Sequence, residues 1–88
     1  MDKTIIVDIE MFANKSKVSF FSPEEGIKPI GSYPIEQLPK LIVLFAYQNE
    51  AYNVKIARGK AYAEWFIAGI KEEEIKVYNS NKLEIEFI

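Results

Sequence analysis

The residues best suited to bind a ligand in this chain form a short turn, Arg58-Gly59-Lys60, which follows the hydrophobic segment ending at Ala57. An aromatic-rich segment comes directly after the turn, and this order predicts a strand that runs through a glycine-containing turn into a helix. Backbone N–H groups at the start of a helix favour anions, and the two cations would add to that attraction. Arg58, Gly59 and Lys60 are therefore candidate anion- or nucleotide-binding residues. The chain lacks a Walker or GxGxxG pattern there, so a plain connecting turn is the alternative.

Two residue types that carry much enzyme chemistry, histidine and cysteine, are absent from the sequence. Their absence removes the imidazole base, the thiolate nucleophile and the commonest zinc ligands. Catalysis would then depend on carboxylates, lysine, tyrosine or a carboxylate-bound Mg²⁺ or Mn²⁺. We therefore expect a protein that is not an enzyme, with no catalytic, metal-binding or cofactor-binding residues. A Mg²⁺-dependent site centred on Asp8 is the alternative.

The composition predicts one domain over residues 1–88, because 49% of the residues are hydrophobic and the chain is too short for a second core. A net charge of -2 lacks the basic excess of a nucleic-acid-binding surface, so no nucleic acid partner is expected. The longest nearly uncharged run, 41–49, is too short to span a membrane, and the first residues lack the features of a signal peptide. The sequence thus predicts a cytoplasmic protein without membrane contact.

The first part of the chain predicts three strands, at 4–10, 17–22 and 27–33. The first strand places β-branched residues on alternate positions, which is typical of a strand with one buried face. Pro29 and Gly31 interrupt the third strand. Because proline cannot donate a hydrogen bond to a neighbouring strand, we expect the third strand at an edge of the sheet.

A helix is predicted at about 36–49, because Pro39 is favoured in a first helical turn. A buried strand at 41–45 is the competing interpretation, since a short apolar run does not distinguish the two. The other predicted elements are a strand at 53–57, a helix at 60–72, and strands at 75–78 and 83–87 that are joined by a turn at 79–82. The second helix is expected to stop near Lys71, because the glutamates at 72–74 would oppose the helix dipole. Its aromatic residues Tyr62, Trp65 and Phe66 are expected in the core.

The predicted order, β-β-β-α-β-α-β with one further strand possible, indicates an α+β or α/β fold with a single mixed sheet and two helices on one face. This order resembles the ribonuclease H-like, or actin-like, fold. In enzymes of that family, acids on the first strand, the first helix and the end of the fourth strand hold two metal ions. Asp8 matches the first of these positions, and Glu36 lies near the second. Ala57-Arg58 stands where the resemblance would require an acid, and an arginine there opposes metal binding.

The first predicted helix has an unusually narrow polar face. Glu36, Lys40 and Tyr47 share that face, yet Val43 and Leu44 flank it within about 60°. A helix with so little polar surface needs cover on several sides, from its own domain or from another chain. Val43, Leu44 and Tyr47 are therefore predicted interface residues for a homo-oligomer or a protein partner. The sequence as a whole predicts a small non-catalytic binding or assembly module.

Overall fold

The computed structural model describes residues 3–12, 15–22 and 26–88, and the side chains at 4–10 and 31–88. The strands are β1 (Lys3–Phe12), β2 (Lys15–Ser22), β3 (Gly26–Pro34), β4 (Ala51–Ala57) and β5 (Glu84–Phe87), and the α-helices are α1 (Leu38–Gln48) and α2 (Ala63–Tyr78). Short 3-10 turns at Ile35–Gln37 and Lys60–Tyr62 lead into the two helices. Two helices with one mixed sheet define an α+β fold, as the sequence predicted.

The sheet has five strands in the order β3-β2-β1-β4-β5. β1, β2 and β3 form an antiparallel meander, whereas β4 pairs parallel to both β1 and β5. β3 is an edge strand, which confirms the expectation from Pro29 and Gly31. The register of β3 shifts between Gly31 and Pro29, so Ile30 has no partner in β2. Gly31 has φ 116°, a conformation that glycine adopts without steric cost.

The core lies between one face of the sheet and the two helices. Alternate residues of β1 are fully buried and join a single hydrophobic cluster with residues of β4, α1 and α2; its members include Ile5, Val7, Ile9, Ile42, Val54, Ile56, Phe66 and Ile70. Burying a side chain of this kind stabilises the fold by about 1.5 to 3 kcal/mol. From Ile5 onward, every second residue of β1 is apolar, so one face of the sheet is buried. The two helices cover that face.

α1 forms where the sequence allowed either a helix or a buried strand, so the helix prediction is confirmed. Pro39 occupies its first turn as expected, and its ring lies against Gly69 of α2. A Cβ at Gly69 would be 2.8 Å from Cγ of Pro39, so glycine permits the close approach of the helices. Within the part of the chain that the structure describes, neither helix has the length and apolar character that crossing a membrane requires.

α2 differs from its prediction, because the helix continues through the glutamates at 72–74 to Tyr78. The predicted strand at 75–78 is therefore wrong, and so is the expected stop near Lys71. The turn at 79–82 connects α2 to β5 and does not join two strands. Asn79 ends the helix with φ 58°, which is the positive value expected of such turn residues.

Side-chain contacts explain why the unfavourable glutamates do not end α2. Glu73 accepts a hydrogen bond from Nζ of Lys76 at 3.3 Å, one turn later on the helix. Glu74 is 1% exposed, and its Oε2 accepts from Nδ2 of Asn81 at 3.1 Å and from the backbone N–H of Lys82 at 3.0 Å. These contacts outweigh a dipole effect that is worth about 0.3 to 1 kcal/mol at an exposed helix end.

Candidate functional site

The predicted strand–turn–helix around Arg58 is observed. β4 ends at Ala57, and the chain passes through the 3-10 turn at Lys60–Tyr62 into α2. Arg58 has φ 64°, in the left-handed region that is uncommon for a residue with a long side chain. From this position its guanidinium reaches β1.

The guanidinium of Arg58 is paired with acids of β1. Asp8 lies opposite Ala57 in the parallel pair of β1 and β4, so the register places it beside Arg58. Nε of Arg58 donates to Oδ1 of Asp8 at 2.6 Å, and Nη2 lies 4.0 Å from Oε2 of Glu10. The hydrogen bond to Asp8 raises the pKa of the Arg58 guanidinium above its ordinary value; desolvation opposes this effect, and the charges of Asp8 and Glu10 reinforce it. An anion at this turn would have to compete with two carboxylates.

Gly59 is buried, and its surroundings explain why no larger residue fits. A Cβ there would lie 2.9 Å from Cγ2 of Ile56 and 3.2 Å from Cε2 of Phe66. Its φ of -112° is open to any residue. Glycine therefore serves core packing at this position, whereas Lys60 is exposed. Anion binding by Arg58, Gly59 and Lys60 stays a prediction.

The surroundings of Asp8 also bear on the alternative of a metal-dependent enzyme. Its nearest charged neighbour is Arg58, and Glu36 lies exposed on the 3-10 turn before α1. Among the described residues, no group of three or more His, Cys, Asp or Glu side chains is placed to hold a metal ion. Asp8 thus forms an ion pair at a strand end, with an arginine as its partner.

The three predicted interface residues have different environments. Val43 is fully buried in the core of its own chain, which corrects the prediction that it faces another molecule. Leu44 is half-buried, and Tyr47 is 55% exposed. The narrow polar face of α1 is explained by its own domain, since α1 contacts both α2 and β4. Of the three predicted interface residues, only Leu44 and Tyr47 have surface that another chain could contact.

Tyr47 belongs to a cluster of three tyrosines that we call the tyrosine patch: Tyr47 near the end of α1, Tyr52 at the start of β4 and Tyr78 at the end of α2. The ring centroid of Tyr78 lies 5.5 Å from that of Tyr47 and 6.3 Å from that of Tyr52. Both contacts are tilted, an arrangement that aromatic pairs favour. Three elements therefore bring their aromatic side chains to one end of the molecule.

A bulge in β4 accounts for the position of Tyr52. Lys3 lies opposite Ala51, but the next residue of β1, Thr4, lies opposite Asn53. Tyr52 is the extra residue, and bulges of this kind redirect a side chain relative to the regular alternation of a strand. Ala51 and Val54 are both buried while Tyr52 is 37% exposed. The bulge therefore lets β4 bury Ala51 and Val54, which are three residues apart, and still present Tyr52 at the patch.

Tyr78 is the half-buried centre of the patch. Burial raises the pKa of the Tyr78 phenol above its ordinary value, and the neighbouring Tyr52, Glu74 and Tyr47 act in the same direction. Nζ of Lys82 lies 5.8 Å from the ring centroid, within the range of a cation–π contact. The patch thus presents neutral aromatic surface with phenol groups that can donate and accept hydrogen bonds.

Two further aromatic side chains are exposed at the start of α2. Tyr62 is 55% exposed and Trp65 is 43% exposed, whereas Phe66 is fully buried. The expectation that all three belong to the core is therefore wrong for Tyr62 and Trp65. Trp65 packs edge-to-face on Phe66 with centroids 5.1 Å apart, which leaves one side of the indole uncovered.

Comparison with known proteins assigns no family: no family model matches the chain, and no curated protein matches it. A function for this chain is therefore inferred from the contacts of Arg58 and of the tyrosine patch.

Sequence reasoning found Tyr47 and missed Tyr52, Tyr78 and Lys82. The predicted strand at 75–78 includes Tyr78, and Tyr52 lies just outside the predicted strand at 53–57. One signal was available, because each tyrosine lies at the end of an element beside turn-forming residues such as Asn49 and Asn79. Such positions favour amphipathic side chains that have one buried side and one exposed side.

Proposed function

We propose that the protein is a small non-catalytic assembly module that self-associates through the tyrosine patch. The observation that carries the proposal is the convergence of Tyr47, Tyr52 and Tyr78 at one surface, with Tyr47 55% and Tyr52 37% exposed. Tyrosine is enriched in protein interfaces, where it supplies a large contact area with little conformational entropy to lose. Leu44, half-buried one turn before Tyr47, extends the apolar surface.

A second copy of the chain is the partner that this surface fits best. In a two-fold dimer the same patch meets itself, so it must be self-complementary. Neutral tyrosine rings meet this condition, because they can stack and exchange hydrogen bonds without bringing like charges together. We propose no catalytic activity, because the sequence lacks His and Cys and because the carboxylate of Asp8 is paired with Arg58.

The proposal also includes a fold family and a cellular location. A ribonuclease H-like fold is supported by the observed order of elements: a three-strand meander, a helix, a parallel strand, a helix and a final strand. Fold resemblance alone does not define an activity. A cytoplasmic location also belongs to the proposal, and fractionation of cells that express a tagged chain tests it.

Sedimentation velocity tests the self-association. We expect the wild type to form a dimer at tens of micromolar and the variant Tyr47→Ser/Tyr52→Ser to dissociate, since losing a central interface tyrosine weakens Kd by about tenfold or more. Tyr62→Ser is the matched control, because Tyr62 has the same exposed fraction as Tyr47, 55%, and lies at the start of α2.

Circular dichroism establishes that each variant is folded before its mass is compared. A wild type that stays monomeric over this range would contradict the proposal. Equal weakening by Tyr62→Ser would also contradict it, because the effect would then not belong to the patch.

A further inference from the structure

β5 is an edge strand whose outer backbone groups are open. Among the strands that the structure describes, it pairs only with β4, because it is the last strand of the sheet. The N–H of Ile88 donates to the carbonyl of Ile56, and the carbonyl of Ile88 accepts from Arg58, so the backbone groups of Ile88 point toward β4. Backbone groups alternate in direction along a strand, and those of Ile85 and Phe87 therefore point away from β4. They are available to another strand.

The two edges of the sheet differ in their protection against strand addition. β3 carries Pro29, Pro34 and the register shift at Ile30, all of which hinder pairing with a further strand. β5 (Glu84–Phe87) carries no proline and no register shift. Its short length and its two glutamates are the only features of this edge that restrict a partner.

The side chains of β5 give its two faces opposite character. Glu84 and Glu86 are exposed on the face away from the helices, while Ile85 and Phe87 are half-buried against the core. Oε2 of Glu86 lies 3.9 Å from Nζ of Lys55. Glu84 forms no ion pair with any of the described residues. An added strand would therefore meet negative charge on one face and apolar surface on the other.

A groove of about 240 Å³ lies between α2 and β5, on the apolar face of the edge. Four apolar residues line it, Ile67, Ile70, Leu83 and Ile85, together with the polar residues Lys71, Glu74 and Asn81. The hydrogen bonds from Asn81 and Lys82 to the buried carboxylate of Glu74 hold the loop that leads into β5. The groove and the edge are thus parts of one rigid surface.

We propose that the β5 edge binds an extended segment of a different protein as an additional strand, a segment in which apolar residues alternate with Lys or Arg. Its apolar side chains enter the groove beside Ile85, and its cations face Glu84 and Glu86. A second copy of β5 fits poorly, because antiparallel pairing would place these glutamates opposite their own copies, and like charges across a strand pair are destabilising. The partner is therefore a basic strand, and the backbone groups that it pairs with belong to β5, which carries none of the three tyrosines of the patch.

Titration of the full chain with a short synthetic peptide of alternating Val and Lys tests the proposal. Hydrogen exchange gives the direct readout, since pairing should slow exchange of the Ile85 and Phe87 amides. A peptide with Glu in place of Lys, and a peptide N-methylated on the residues that would pair, should both fail to bind. Slowed exchange at these amides in the protein alone, rising with its concentration, would show that a second copy occupies the edge and would overturn the proposal.

Protein variants test the charge complementarity. Glu84→Gln/Glu86→Gln should weaken binding of the Val-Lys peptide by about tenfold, as expected for two cross-strand charge pairs. Glu64→Gln/Glu72→Gln is the matched control, because it removes the same charge from exposed positions of α2. If both variants weaken peptide binding equally, the peptide is attracted only by the net charge of the protein. That result, or undiminished binding of the N-methylated peptide, would overturn strand addition at β5.

Discussion

At the turn after β4, the space around Gly59 and the charge around Arg58 decide what each residue does. Gly59 faces inward, where Ile56 and Phe66 leave no room for a side chain. Arg58 faces outward and is held by Asp8. In the sequence, two cations around a glycine predict an anion site; in the structure, Gly59 serves packing and Arg58 pairs with Asp8. Short-range composition does not distinguish these roles, because they depend on neighbours from β1 and α2.

Adding a methyl group at Gly59 should therefore strain the core. We expect Gly59→Ala to lower the free energy of unfolding by about 1 to 3 kcal/mol, the usual cost of overpacking. Phe66→Leu should also destabilise the protein alone, but it would make room for the new methyl group. Urea denaturation of both single variants and the double variant should then show a combined cost smaller than the sum. Strictly additive costs would show that Phe66 does not restrict this position.

Tyr78 should make stability depend on pH in the alkaline range. Because burial raises the pKa of its phenol above the ordinary value of 10.0, the folded state retains the proton more strongly than the unfolded state. Its contribution is fully present below about pH 10 and is lost as the pH rises through the folded pKa. The melting temperature of the wild type should therefore fall more steeply above this pH than that of Tyr78→Phe. Tyr62→Phe controls for the loss of a phenol, and identical slopes for the two variants would contradict the prediction.

Among the elements, α2 shows most clearly how tertiary contacts override a local preference. The three consecutive glutamates have three environments: Glu72 is exposed, Glu73 pairs with Lys76, and Glu74 is buried. Only Glu74 joins the helix to the loop that leads into β5. The helix continues to Tyr78 because its last turn is packed against the core and held by these contacts.

The carboxylate of Glu74 should thus matter far more than that of Glu72. Glu74→Ala leaves the backbone N–H of Lys82 without its acceptor, and Nδ2 of Asn81 keeps only the carbonyl of Lys71. We expect a loss of about 1 to 3 kcal/mol in the free energy of unfolding. Glu74→Gln, which keeps a carbonyl oxygen, should lose less. Glu72→Ala should stay within about 0.5 kcal/mol of the wild type, as exposed substitutions usually do. Similar urea midpoints for both alanine variants would show that the loop is held by other contacts.

Local sequence patterns predicted most helices and strands correctly, but they did not predict which side chains would be buried or exposed. The alternation in β1 and Pro39 in α1 gave correct elements, because each acts through its own backbone. The burial of Val43 and the position of Tyr52 were missed. Val43 is covered by α2 and β4, and Tyr52 depends on a bulge against β1, so both follow from pairings between distant parts of the chain. The tyrosine patch could not be predicted from the sequence, because its three residues come from three different elements.

On the scale of the whole molecule, the surfaces described above occupy different places. The tyrosine patch lies where α1 and α2 end, the ion pair of Arg58 lies where β4 ends, and the open edge lies along β5. The patch is neutral and suits a second copy of the chain, whereas the edge is acidic and suits a basic partner.

Self-association and peptide binding should therefore respond to different variants. Glu84→Gln/Glu86→Gln should leave the sedimentation coefficient unchanged, because all three tyrosines stay in place. Tyr47→Ser/Tyr52→Ser should leave peptide affinity unchanged, because the outer backbone groups and the glutamates of β5 stay in place. Sedimentation velocity and peptide titration on both variants provide the measurement. Loss of both activities in either variant would indicate one shared surface.

The central position of β1 also governs the order in which the chain can fold. β1 pairs with β2, its neighbour in sequence, and with β4, from which β2, β3 and α1 separate it. Closing the first pairing encloses few residues, whereas closing the second encloses about half of the chain and costs more loop entropy. During synthesis, the side of β1 that β4 will cover stays open until β4 has left the ribosome. A nascent chain therefore exposes one unpaired edge of the apolar strand β1, and in that interval it is open to aggregation or to capture by a chaperone.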